Sequence, residues 1–150
     1  MRYIFLSVLL LFLYSCSGYS DEDLEAFDQQ IIHYLDSMNI EMDRDIEGMY
    51  YTIIKGGEGD ELIGYKDQVT FTYKASYLNG DVFQYIDKDN PLTYQVSQLI
   101  YGWQNALMML KEGGEISIII PPQLGYGQKS TDLIPPNSIL KYELTVLKVE

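Results

Sequence analysis

The chain has 150 residues, 47% of them hydrophobic, and a formal charge of −12 at pH 7. That length fits one ordinary domain with a small appendage, and the apolar share is enough for a packed core. The acidic balance argues against nucleic acid as a partner, and one cysteine and one histidine exclude an internal disulfide and nearly exclude a Cys/His zinc site.

Arg2 gives a short positive start, and Tyr3 to Tyr14 is apolar apart from Ser7. This run is shorter than the roughly 20 residues of a spanning helix and has the length of a signal-peptide core. It closes with Leu13-Tyr14-Ser15-Cys16, which resembles the lipobox of bacterial lipoproteins, with Tyr14 bulkier than the usual residue there. The resemblance implies that residues 1–15 are a signal peptide and that Cys16 becomes the acylated first residue of the mature chain. Its palmitate-like acyl chains would anchor the protein to a lipid bilayer of the cell envelope, each buried CH₂ contributing about 0.8 kcal/mol. The competing reading is an ordinary secretory signal with an incidental cysteine. Asp21-Glu22-Asp23 follows soon after and reads either as a surface-export signal or as the acidic first turn of a helix.

Ser20 is a good N-cap, with Asp23 in the capping-box position three residues on. Leu24, Phe27, Ile31, Tyr34, Leu35 and Met38 recur at helical spacing, which predicts a helix over 21–38. Residues 39–48 are polar and acidic and read as linker, so 16–48 forms a lipidated tether with a helix, and 49–150 the compact domain. His33 receives no chemical role.

Met49 to Lys55 is β-rich and closes on Gly56-Gly57-Glu58-Gly59-Asp60. The next strand alternates, with Val69, Phe71 and Tyr73 on one face and Thr70, Thr72 and Lys74 on the other. Asn79-Gly80 signals a two-residue hairpin turn, with 81–85 returning and 92–96 a further extended piece. A helix is expected over 99–111, capped by Ser97 and ended by Gly113-Gly114. Ile116 to Ile120 is apolar apart from Ser117 and reads as a buried strand, 121–137 as a Pro- and Gly-rich loop, and 139–149 as an alternating strand. The fold class is therefore α+β: an antiparallel twisted sheet wrapped on one short helix, preceded by an N-terminal helix.

Three motifs then stand in order: Ile100-Tyr101-Gly102-Trp103 on the helix, Leu124-Gly125-Tyr126-Gly127 with Leu133-Ile134-Pro135-Pro136-Asn137 in the loop, and Leu144 to Glu150 on the last strand. Together they resemble the FKBP-type peptidyl-prolyl cis-trans isomerases over roughly 50–150. The resemblance implies a pocket with Trp103 as its floor and walls from Tyr73, Phe83, Tyr94, Leu99, Ile100, Tyr126, Ile134 and Tyr142. Leu92 stands where the family often has an aromatic. The Ile100 N–H and the Tyr126 hydroxyl would hold a substrate carbonyl, with Tyr73 and Phe83 beside them at the reacting bond. One departure is Gln84, at a position where active members usually carry an aspartate that accepts from the tyrosine at the Tyr73 position. Phe71, Leu140 and Leu144 read as plain core.

The resemblance implies no cofactor and no metal, and proline-containing polypeptides as partners. Fourteen tyrosines against one tryptophan suit a pocket of apolar surface and hydroxyls, and equally simple β-propensity. Two functions remain. One is an isomerase assisting the folding of exported proteins; the other is a binding module for proline-containing segments of an envelope, motility or secretion machinery, which Gln84 favours.

Overall fold

The structure is a computed structural model that describes residues 18–150. The signal-like run and Cys16 lie outside the described residues. Helix α1 (Asp21–Met38) starts at its capping box: Ser20 Oγ accepts from the Asp23 N–H at 3.1 Å, and the Asp23 carboxylate accepts from the Ser20 N–H at 3.0 Å. Asn39 ends the helix in the left-handed conformation at φ 51°, with the Ile40 N–H closing onto the Leu35 carbonyl at 2.9 Å. Ile31 and Leu35 are buried against Tyr50, Ile119 and Ile139, so α1 covers one face of the sheet. Met38, expected on the same stripe, is the last helical residue and is exposed.

Within the expected linker, Asp43–Arg44 forms a two-residue strand, β1, on the edge of β2 (Tyr50–Lys55). Arg44 explains it. Its guanidinium pairs with Asp28 of α1 at 2.8 Å and lies over the Tyr50 ring at 5.8 Å, tying helix, edge strand and sheet together.

The remaining strands are β3 (Gln68–Tyr77), β4 (Val82–Ile86), β5 (Leu92–Gln95), β6 (Glu115–Ile120) and β7 (Leu140–Val149). They join β1 and β2 in an antiparallel sheet of order β1-β2-β6-β7-β3-β4, with β5 also paired to β3. The apolar run of β6 is explained by burial on both faces. Ile116, Ile118 and Ile120 enter the main core, whereas Ile119 meets α1. On β7 the alternation holds, with Leu140, Tyr142, Leu144 and Val146 all buried.

Two local expectations are corrected. At the β3–β4 hairpin the turn bond runs from the Gly80 N–H to the Tyr77 carbonyl at 3.0 Å, and Gly80 takes φ 92°. The central residues are thus Leu78 and Asn79, with Gly80 as the left-handed bulge of a three-residue loop rather than half of a two-residue turn. Helix α2 spans only Tyr101–Leu107; Val96–Gln98 is a separate 3-10 turn, and Ile100, not Ser97, is the N-cap. At the other end the Leu110 N–H tightens onto Leu107, and the Lys111 N–H leaves the helix for the Gly56 carbonyl at 2.9 Å. The loop after β2 therefore stops the helix before Gly113-Gly114 is reached.

Candidate active site

β3 and β7 are neighbours at the centre of the sheet, and α2 lies across their face. That crossing buries Trp103, the third residue of α2, leaving it 5% exposed. Three rings meet its indole edge-on, with centroids at 5.1 Å for Phe71, 4.9 Å for Tyr73 and 5.1 Å for Tyr142. Among the described residues the buried indole Nε1 has no hydrogen-bond partner, an arrangement the surrounding π-faces can partly relieve.

Above this floor opens a cleft of about 430 Å³, within the range of small-ligand sites. Seven residues named from the sequence line it: Tyr73, Tyr94, Leu99, Ile100, Trp103, Tyr126 and Tyr142. Leu92 and Gln84 line it too, as do Phe71 and Gln98. Phe71, read from the sequence as core alone, is both: it is 1% exposed and its ring also borders the cleft. Gln98 carried no sequence signal, since a polar residue in a 3-10 turn belongs to neither periodicity.

Two named residues lie outside the lining. Phe83 packs edge-on to Tyr142, at 6.4 Å, and against Tyr77 at 4.9 Å. Ile134 is 5% exposed in the main core, held there by its N–H bond to Thr131 Oγ1 at 3.0 Å. Both back the wall without forming its surface.

The polar groups of the cleft are few. Ile100, extended at the helix N-cap, gives its carbonyl to the Trp103 and Gln104 N–H groups at 3.0 and 3.2 Å, while its own N–H makes no hydrogen bond among the described residues. Gln104 Nε2 donates to the Leu99 carbonyl at 2.7 Å and so fixes this approach to the helix. Tyr126 stands at the rim, 36% exposed. Burial pushes the Tyr73 hydroxyl up to about 12, with the neighbouring tyrosines adding to it. Burial likewise raises Tyr126 and Tyr142. All three remain neutral O–H donors near neutral pH. Gln84 faces the cleft opposite Ala75, but among the described residues no hydrogen bond joins it to Tyr73.

A twisted antiparallel sheet with a short helix across it, and an aromatic cleft over the helix tryptophan, defines a class of small ligand-binding α+β domains. The family model described as "FKBP-type peptidyl-prolyl cis-trans isomerase" matches residues 59–147, and the chain belongs to that family. FKBP-type peptidyl-prolyl cis-trans isomerase FkpA of Buchnera aphidicola (subsp. Schizaphis graminum) is 40% identical over 104 residues, covering 69% of this chain and 41% of the relative. The protein of the same name from Escherichia coli K12 is 34% identical over 104 residues, 69% of this chain and 38% of its own. The crystal structure of FkpA from Escherichia coli superposes with a TM-score of 0.74 at 29% identity, covering 86% of this chain and 62% of that one. The chain thus spans about two-fifths of the length of the curated relatives it matches.

Proposed function

We propose that this protein catalyses cis-trans isomerisation of X–Pro bonds in polypeptides, and that it does so tethered to the cell envelope, where it assists exported proteins to fold. The observation that carries the reading is the pairing of the Ile100 N–H, unbonded among the described residues, and the Tyr126 hydroxyl with an aromatic cleft floored by Trp103. Rotation about the bond meets a barrier of roughly 18–20 kcal/mol that arises from amide resonance. The twisted amide has lost that resonance and is less polar across C–N. An apolar cleft therefore favours it over the planar form, which water solvates better. Proline would lie over the indole, between Tyr73, Leu99 and Tyr142. The Ile100 N–H and Tyr126 hydroxyl would hold carbonyl oxygens of the substrate and so fix one side of the rotating bond. No nucleophile or proton transfer is needed. Phe83 and Ile134 support this surface from behind.

A second reading, a binder with little turnover, is favoured by the unbonded Tyr73–Gln84 pair. The two readings separate on one substitution. A hydrogen bond to a charged group contributes roughly 1.5–3 kcal/mol and a neutral one about 0.5–1.5. Restoring a carboxylate should thus recover on the order of 1 kcal/mol in the transition state, or roughly fivefold in kcat/KM. Gln84→Asp is expected to give that gain over a weakly active wild type, and Tyr73→Phe to abolish it. A wild type as fast as the Asp variant would show the carboxylate to be dispensable.

The tether rests on Cys16 and the lipobox-like run before it; among the described residues no helix is long and apolar enough to cross a membrane. Cys16→Ser is expected to move the protein from the detergent phase to the aqueous phase. Unchanged partitioning would refute the acyl anchor.

A further inference from the structure

Tyr126 sits between two glycines on a turn with little packed behind it. On the side away from Trp103 a second cleft of about 750 Å³ opens, bordered by Tyr19, Leu24, Pro122, Gln123, Tyr126 and Lys129. The orientation of Tyr126 therefore depends on how its backbone is tied. The Gly125 and Gly127 N–H groups both bond the Pro122 carbonyl, at 3.0 and 2.9 Å, which closes the turn on itself. Among the described residues its one hydrogen-bonded tie to a distant part of the chain is through Asn137. The Asn137 N–H donates to the Gly127 carbonyl at 2.8 Å, and Asn137 Oδ1 accepts from the Tyr19 hydroxyl at 2.7 Å. Asn137 takes φ 60°, a left-handed conformation that lets one residue turn its N–H and its side-chain oxygen to these two partners. Tyr19 is itself seated: its ring meets Phe27 of α1 edge-on, at 5.2 Å and 88°.

We infer that Tyr19 and Asn137 are positioning residues, forming a latch by which the segment preceding α1 sets the Tyr126 turn for substrate. The inference rests on the proposed role of Tyr126 at the substrate carbonyl. It assigns the N-terminal segment a part in the site that the isomerase-like core alone would lack. The latch joins two elements at opposite ends of the sequence, and it is held to the body through Phe27 and the docking of α1 on the sheet.

The test is a mutant cycle on the full chain, with an X–Pro peptide as substrate. Tyr19→Phe keeps the ring on Phe27 and removes only the donor. It is expected to lower kcat/KM about threefold, the order of one neutral, partly exposed hydrogen bond, at unchanged Tm. In a Tyr126→Phe background the same substitution should cost nothing further, because the group it positions is gone. Asn137→Gly, which tolerates the left-handed backbone, should reproduce the loss, and Asn137→Asp, which retains an acceptor, should restore the rate. An unchanged rate in Tyr19→Phe, or an equal loss in both backgrounds, overturns the latch. Should the wild type show no turnover, the proposed activity fails separately. The cycle is then read as peptide affinity from Trp103 emission, where the same non-additivity is expected and additive losses overturn the latch. A flat titration of the wild type overturns both.

Discussion

Phe71→Ala is expected to destabilise the protein by about 3–5 kcal/mol, the usual range for removing a buried phenylalanine. Phe71 is 1% exposed on β3, edge-on to Trp103 at 5.1 Å and stacked on Tyr94 at 6.4 Å. Its loss removes both the transfer energy of the ring and the contact that holds the indole flat beneath the cleft. Two strands and a helix frame the vacancy, so collapse into it is limited. At roughly 3 °C per kcal/mol for a chain of this size, Tm should fall by about 10 °C or more. Affinity for proline peptides should fall with it, measured below the new transition. A Tm within about 2 °C of the wild type would show that the ring is not the support for the floor described above.

Gly102→Ala is expected to act from the opposite side of the same helix. A Cβ at this position would stand 2.2 Å from Ile120 Cγ2 and 3.3 Å from the Leu124 carbonyl oxygen. Alanine normally gains about 1 kcal/mol over glycine inside a helix. Here that gain is overridden, because β6 and the loop after it are both in the way. The helix start must lift, carrying Trp103 and the Ile100 N–H with it. Overpacking of this kind costs about 1–3 kcal/mol, and the misplacement should lower kcat/KM by roughly tenfold or more, since small displacements at a positioned site are amplified in rate. Thermal melts and peptide assays on the variant check both parts. A more stable variant of full activity would mean that α2 is not wedged against β6.

What could be read in advance followed from how local its causes were. The bounds of α1 depend on the Ser20–Asp23 box and one apolar stripe, all within the segment itself. The end of α2 depends on Gly56, on another strand's loop, and no local signal shows it. The same holds for β1, where a polar, acidic stretch becomes a strand edge because Arg44 finds Asp28 on the preceding helix. At the hairpin, Asn79-Gly80 announced a turn, but which residues occupy its centre was decided by the register of β3 and β4. In the cleft, the motifs around Trp103 and Tyr126 supplied three lining residues directly, and the family resemblance they carried supplied most of the rest. Phe83, named through the same resemblance, and Ile134, inside the loop motif, back the wall instead, since position in sequence does not fix which layer a side chain enters. Tyr19 and Asn137 were invisible as a pair because their contact exists only once α1 has docked.

The central claim is that the cleft over Trp103 receives proline. Trp103 is the only tryptophan in the chain, so its emission reports that site alone. Titrating the full-length protein with an X–Pro peptide should shift or quench that emission saturably, and an otherwise identical peptide with alanine for proline should not. An emission unchanged by the proline peptide on folded protein, or equal responses to both peptides, would contradict the account.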